Sequence, residues 1–161
     1  MSRTISVVTG SRAEYGLLQG VIQSIEKSRL LSLQLIVTGM HLSPDFGLTY
    51  KEIESDGHTI DYKVDSFVGS DTAFEITKSI GKGLSGFAEV WSTTKPDVVL
   101  MLGDRYEILP AAIAAIIAGI PVAHLHGGET SEGAFDESIR HAITKLAHLH
   151  FVAAESYRNR V

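Results

Sequence analysis

At 161 residues, 44% of them hydrophobic and 20% charged, the chain has the composition of one globular domain with enough apolar side chains for a core. Its formal net charge of -5 excludes a nucleic-acid binder held by bulk charge, and its lack of cysteine excludes disulfides and thiolate metal sites. The apolar stretch over residues 4–8 is too short for a signal sequence, and the one over 108–123 is too short and too broken by Pro110, Gly119 and Pro121 to span a bilayer; a cytoplasmic protein with no membrane partner is expected.

In chain order, short β-branched runs alternate with segments of helical period. Residues 4–9 (TISVVT) read as a first strand. From 14 to about 29, Leu17, Leu18, Val21, Ile22 and Ile25 recur on one helical face. A second strand follows at 33–38 (LQLIVT), then a helix over 44–55 and a short strand over 60–64. The long helix from 71 to about 94 places Phe74, Ile80, Leu84, Phe87, Ala88 and Trp91 at helical spacing. Residues 97–102 (DVVLML) read as a buried strand, and 107–118 as an Ala/Ile-rich helix stopped by Gly119. A strand over 121–126 leads to a helix over 136–147 with Ile139, Ala142, Ile143 and Leu146 inward. A last strand, 149–153, ends where another helix begins near Glu155.

This order predicts an α/β fold: a Rossmann-like, mostly parallel sheet with helices on both faces and right-handed crossovers. It forms a single domain, residues 1–161, with no linker or repeat. The final helix reads as cut soon after it starts, so a truncated longer chain is expected.

In such sheets ligands bind beyond the carboxyl ends of the strands, and polar residues gather after four of them. Gly10 permits a tight turn into a helix whose N–H groups can face an anion, and Arg12 adds a cation for a diphosphate; the plainer alternative is an ordinary turn with a solvated arginine. Gly10-Ser11-Arg12 is neither a dinucleotide fingerprint nor a P-loop. The glycines at 81, 83 and 86 fall inside a helical pattern and are assigned to helix packing. Arg105 is a second diphosphate candidate or one half of a salt bridge. Asp104 and Asp136 each precede a helix, so each is an acid–base group or an N-cap. Glu129 is a loop carboxylate. His124 and His126 alternate with Leu125 and should share a face. With Asp104, Glu129 and His141 nearby, a zinc or manganese site comes into view, but His-x-His is a short signal and no metal is assigned. His124 is read as a satisfied core group, and His148 and His150 as structural.

The runs GSRAEYG (10–16), TGMHLS (38–43), FGLTYKEIE (46–54), KPDVVLMLGDRYE (95–107), HLHGGE (124–129) and DESIRHAITKLAHLHF (136–151) together resemble the hydrolysing UDP-N-acetylglucosamine 2-epimerases of sialic- and legionaminic-acid biosynthesis. The resemblance implies the N-terminal half of a GT-B fold, with a second domain absent from this chain that holds most of the nucleotide. It implies elimination of UDP to a 2-acetamidoglucal, then water addition to release N-acetylmannosamine, with no cofactor and no metal. It places Arg12 and Arg105, with Gly10, on the nucleotide, His41 in the active-site loop, and Asp104 and Asp136 in catalysis. Where some members read H-x-E-G-G-E, this chain has His126; Glu129 is retained. That change points to a subgroup acting on another sugar, such as a UDP-2,4-diacetamido-trideoxyglucose. Acid and base roles stay undivided among Asp104, His126, Glu129 and Asp136. A homo-oligomer is implied for the complete enzyme. The alternatives are a non-hydrolysing epimerase, a GT-B transferase, and an isolated binding domain without turnover, since an open cleft leaves the reaction exposed to water. All depend on Arg12, His41, Asp104, His126 and Asp136 meeting around one pocket.

Overall fold

The computed structural model describes residues 2–132 and 135–161. Among them six parallel strands form one sheet in the order β3-β2-β1-β4-β5-β6: β1 (Arg3–Thr9), β2 (Leu31–Thr38), β3 (Tyr62–Val64), β4 (Val98–Leu102), β5 (Val122–Leu125) and β6 (Leu149–Phe151). The helices are α1 (Arg12–Lys27), α2 (Tyr50–Ser55), α3 (Ala73–Thr93), α4 (Leu109–Ile117), α5 (Asp136–Leu146) and α6 (Glu155–Arg158). Strand alternation splits the core in two. Val8, Ile36, Val99 and Met101 pack toward α3, α4 and α5, through Phe87, Trp91, Ala111, Ile139 and Ile143. Val7, Leu35, Val37, Leu100 and Leu102 pack toward α1 and α2, through Leu18, Ile22 and Ile53. Both faces of the sheet are therefore used, as continuous apolar parallel strands require. The strand order reverses between β1 and β4, and the crevice beyond that point is where ligands of such sheets bind.

Several boundaries differ from expectation for local reasons. Helix α1 starts at Arg12, because Ser11 accepts from Glu14 N–H while the Glu14 side chain reaches back to the cap, a reciprocal capping box. The helix expected over 44–55 is instead a 3-10 turn at Pro44–Phe46 and then α2. Gly47 and Leu48, with φ of 80° and 52°, break the two apart. Strand β5 stops at Leu125 because His126 turns into the left-handed region at φ 61°; the alternation that would align His124 with His126 ends there. Leu17 is 63% and Phe74 71% exposed, and Ala88 and Ala142 also face outward. On α5 the positions buried beside Ile139 and Ile143 are Arg140 and Thr144, a polar stripe that an apolar count overlooks. Within α3, Gly83 lies against Pro110 and Gly86 against Val64, contacts that a Cβ would crowd.

Candidate active site

The crevice at the switch point is built from the turns after β1 and β4. Gly10 and Ser11 donate their N–H groups to Glu14 Oε2, at 2.6 and 3.2 Å. The amides of the turn leading into α1 are thus engaged by the helix's own capping residue. Glu107, 2% exposed, lies beside Glu14 and is gripped by Arg105, whose Nε and Nη2 donate to it at 3.1 and 2.7 Å. Arg105 Nη2 also reaches Met40 Sδ at 3.0 Å. Burial pushes the Glu14 carboxyl up to about 8, against its two amide bonds and with the Glu107 charge adding to the rise. Gly39, at φ 57°, crosses this pair so closely that a Cβ would sit 2.6 Å from Glu107 Cγ. Gly39→Ala combines a positive φ with that clash and should cost about 1–3 kcal/mol, read as a lower urea midpoint than wild type.

The second cluster joins the loops after β4 and β5. Arg140, 7% exposed, projects from α5 and holds three groups: Nη2 donates to Asp104 Oδ2 and Ser131 Oγ, and Nη1 to the His126 carbonyl. Ser131 Oγ donates to the same Asp104 oxygen. Both bonds converge on Oδ2, leaving Oδ1 without a bond among the described residues. His126 Nδ1 meets Glu129 Oε1 at 2.6 Å, and Glu129 Oε2 lies 3.8 Å from Arg140. The pairing fixes the ring through Nδ1 and leaves Nε2 without a bond among the described residues. A non-glycine residue at positive φ persists only when its surroundings hold it, and here the carbonyl and the ring are both held.

The remaining predicted residues lie around these clusters. Asp136 opens α5, half-buried, and takes part in no hydrogen bond among the described residues. Its neighbour Glu137 instead accepts from Ser131 N–H at 2.7 Å. Arg12 is exposed on the β1–β2 side and pairs with Glu52 at 2.8 Å. His41 is fully buried. Its Nε2 meets Thr9 Oγ1 at 3.1 Å and its Nδ1 meets Thr49 Oγ1 at 2.8 Å, and burial pushes its pKa down to about 4. His124, also fully buried, donates from Nε2 to the Gly103 carbonyl at 2.7 Å, faces Thr144 at 3.2 Å and is likewise lowered to about 4 by burial. The structure therefore brings Asp104, His126 and Glu129 together and sets Arg12 and His41 in a separate group across the switch point. The five residues expected around one pocket are thus divided between its two sides, because the loops after β1 and β2 and those after β4 and β5 lie on opposite sides of the strand reversal. Arg105, next to Asp104 and in contact with Met40, lies between the two. No group of three or more imidazole and carboxylate side chains is placed to hold a metal among the described residues. A groove of about 550 Å³ along β3 and α3 is lined by none of these residues.

Sequence reasoning missed Arg140, Ser131, Glu14 and Glu107. The Ser11-x-x-Glu14 spacing was a readable capping-box signal. Arg140 lies four residues after Asp136 and four before Thr144, a polar i, i+4 stripe whose burial only packing reveals.

A doubly wound parallel sheet with ionisable side chains gathered beyond β4 and β5 defines a Rossmann-type lobe. A family model described as UDP-N-acetylglucosamine 2-epimerase matches residues 23–161, and the chain belongs to that family. It is 45% identical over 159 residues to a GDP/UDP-N,N'-diacetylbacillosamine 2-epimerase (hydrolyzing) of Campylobacter jejuni, covering 99% of this chain and 41% of that protein. It is 48% identical to a UDP-N,N'-diacetylbacillosamine 2-epimerase (hydrolyzing) of Legionella pneumophila, covering 100% of this chain and 42% of the relative. Among solved structures, the Methanocaldococcus jannaschii UDP-GlcNAc 2-epimerase in complex with UDP-GlcNAc and UDP superposes with a TM-score of 0.83 at 27% identity, covering 97% of this chain and 42% of that one. The fold is that of one lobe of these GT-B-type enzymes, and the chain spans about two fifths of its relatives' length. No helix among the described residues is long and apolar enough to cross a membrane.

Proposed function

We propose that this chain is the N-terminal lobe of a hydrolysing 2-epimerase that converts a UDP-2-acetamido sugar to UDP and the free 2-epimeric sugar. The observation that carries the reading is the Arg140-centred cluster, which among the described residues leaves Asp104 Oδ1 and His126 Nε2 unengaged, as two proton-transfer atoms beside the switch point. Removing the C2 proton needs one positioned base, and returning a proton from the opposite face needs an acid. UDP departs from C1 as the C2 proton is taken, leaving a 2-acetamidoglucal, and water then adds at C1. Arg12 and Arg105 are the cations for the leaving diphosphate. Arg12 must leave an exposed pairing with Glu52, which costs little. Glu129 orients His126, and Asp136 stands at the start of α5 as a further carboxylate for the same step. His41 acts from beneath the surface, through Thr49.

The finer assignment is to UDP-N,N'-diacetylbacillosamine. Supporting it are the printed activities of the Campylobacter and Legionella relatives and His126 where other members carry glutamate. Supply of a sialic- or legionaminic-acid precursor is part of the proposal; a 40% identical Escherichia coli relative is named a polysialic acid biosynthesis protein. A homo-oligomer is proposed for the complete enzyme, with Ile117, 82% exposed at the α3–α4 groove, as a candidate contact.

Product analysis tests the reading. The 161-residue chain alone should release no UDP from either sugar nucleotide. Extended by the remaining length its relatives possess, it should release UDP and free sugar in equal amounts. In that longer protein Asp104→Asn should slow release at least about a hundredfold. An epimerised UDP-sugar with no free UDP would establish the non-hydrolysing alternative instead.

A further inference from the structure

The pocket between the loops after β1 and β2 belongs to neither buried cluster. Its volume is about 340 Å³, and Ser11, Arg12, Met40, Phe46, Thr49 and Glu52 line it. We propose that it is a subsite for the uncharged acylamino arm of the sugar, a proposal that rests on the sugar-nucleotide reading above.

Arg12, at the rim, pairs with Glu52 at 2.8 Å and turns from it to meet the diphosphate, so the Glu52 carboxylate then repels a phosphate from the interior. The amides of Gly10 and Ser11 are already bonded to Glu14. An acyl methyl finds a better fit there. Phe46 is 39% exposed yet held edge-on against Phe67 at 5.5 Å, and Met40 is pinned through its sulfur by Arg105. Together they make an ordered apolar wall.

The polar side of the pocket is equally fixed. Thr9 Oγ1 donates to the Ser11 carbonyl at 3.4 Å and lies 3.1 Å from His41 Nε2. Thr9 has given its proton to Ser11, so His41 Nε2 donates to Thr9, and in the neutral ring Nδ1 accepts from the Thr49 hydroxyl. Thr49 has spent its proton and offers only lone pairs, which is what an amide N–H requires. Buried His41 thus ties the two walls, Ser11 and Thr49, into one rigid frame. The acylamino group at C2 neighbours the diphosphate at C1, so one ligand can place its diphosphate against exposed Arg12 at the rim and its acyl arm inside.

Ligand-observed NMR on the 161-residue chain, with UDP-N-acetylglucosamine and UDP-glucose as probes at millimolar concentration, tests this. UDP-N-acetylglucosamine should bind about fourfold more tightly, the worth of one buried methyl, with its acetyl methyl the most saturated proton. Phe46→Ala should level the two affinities, and Phe46→Leu should keep the preference. Thr49→Val, which keeps the shape and removes the acceptor, should also level them. Equal affinities in the wild type, or a preference that survives in folded Phe46→Ala and Thr49→Val, would overturn the subsite and leave the sugar-nucleotide reading standing. No saturation of either probe would overturn the subsite, while UDP release by the longer protein decides the sugar-nucleotide reading separately.

Discussion

Arg140→Met should destabilise the chain by about 3–5 kcal/mol, the cost of removing one member of a buried, hydrogen-bonded ion pair. Methionine fills a similar volume but leaves the Asp104 carboxylate, the Ser131 hydroxyl and the His126 carbonyl without their shared donor. The loss comes from stranding those groups rather than from an intrinsically large pair energy. It follows that the double variant Arg140→Met/Asp104→Asn should recover part of the stability, because the uncompensated charge is gone. Arg140→Lys keeps the charge but not the fork that reaches three acceptors on two loops, and should fall between. His126 should also relax from φ 61° once its carbonyl is released. Urea titration of the four proteins measures the energies. A single Arg140→Met variant within 1 kcal/mol of wild type would remove the hub from this account.

The second large effect is on the pH dependence of stability. Glu14 is raised from 4.5 to about 8 by burial, so the folded state binds the extra proton between those values. The stability tied to that proton is complete below pH 4.5 and is lost as pH rises through 8, a fall on the order of 5 kcal/mol. His41 and His124 are lowered from 6.5 to about 4 by burial. Their contribution is complete above pH 6.5 and is lost as pH falls through 4, on the order of 3 kcal/mol for each ring. Between pH 4.5 and 6.5 two histidines oppose one glutamate, so stability rises with pH. Above 6.5 only Glu14 still changes, so stability falls. Maximum stability is expected near pH 6.5. Glu14→Gln should abolish the alkaline decline and steepen the rise between pH 4.5 and 6.5, where the two histidines are then unopposed. Urea midpoints at pH 5, 6.5, 8 and 9 for both proteins check this; an alkaline slope unchanged in the variant would rule Glu14 out as its source.

Glu14 shows how function and stability meet at one turn. Its carboxyl closes the capping box of α1 and shares the space beneath the switch point with Glu107 and Arg105. A position that caps a helix and faces a second carboxylate satisfies both demands only by holding a proton near neutral pH.

Much of the fold was legible along the chain because the local rules agree. The runs at β1, β2, β4 and β5 are continuous and apolar, as strands covered on both faces must be, and the helices between them are long enough to show their period. Legibility failed where one side chain serves two masters. Gly47 and Leu48 break an otherwise plausible helix because the chain must turn there. His126 ends a strand early because its carbonyl answers to an arginine fourteen residues away. The candidate residues Asp104, His126 and Glu129 were readable from their place after β4 and β5. The separation of Arg12 and His41 into another group was not, since sequence order orders loops along the chain and not across a sheet.

What the linear pattern determined, then, is the alternation of strands and helices, the parallel sheet and the end of it where ionisable loop residues gather, because periodicity and strand direction are properties of neighbouring residues. Which strands lie side by side, and so which loops share the crevice, was decided only in three dimensions. So were the burial of Arg140, Glu14 and Glu107 and the proton that burial holds on Glu14. Those depend on distances between residues far apart in the chain, 36 positions for Asp104 and Arg140 and 65 for Met40 and Arg105, and on water excluded by helices packed from both sides, neither of which any local pattern encodes.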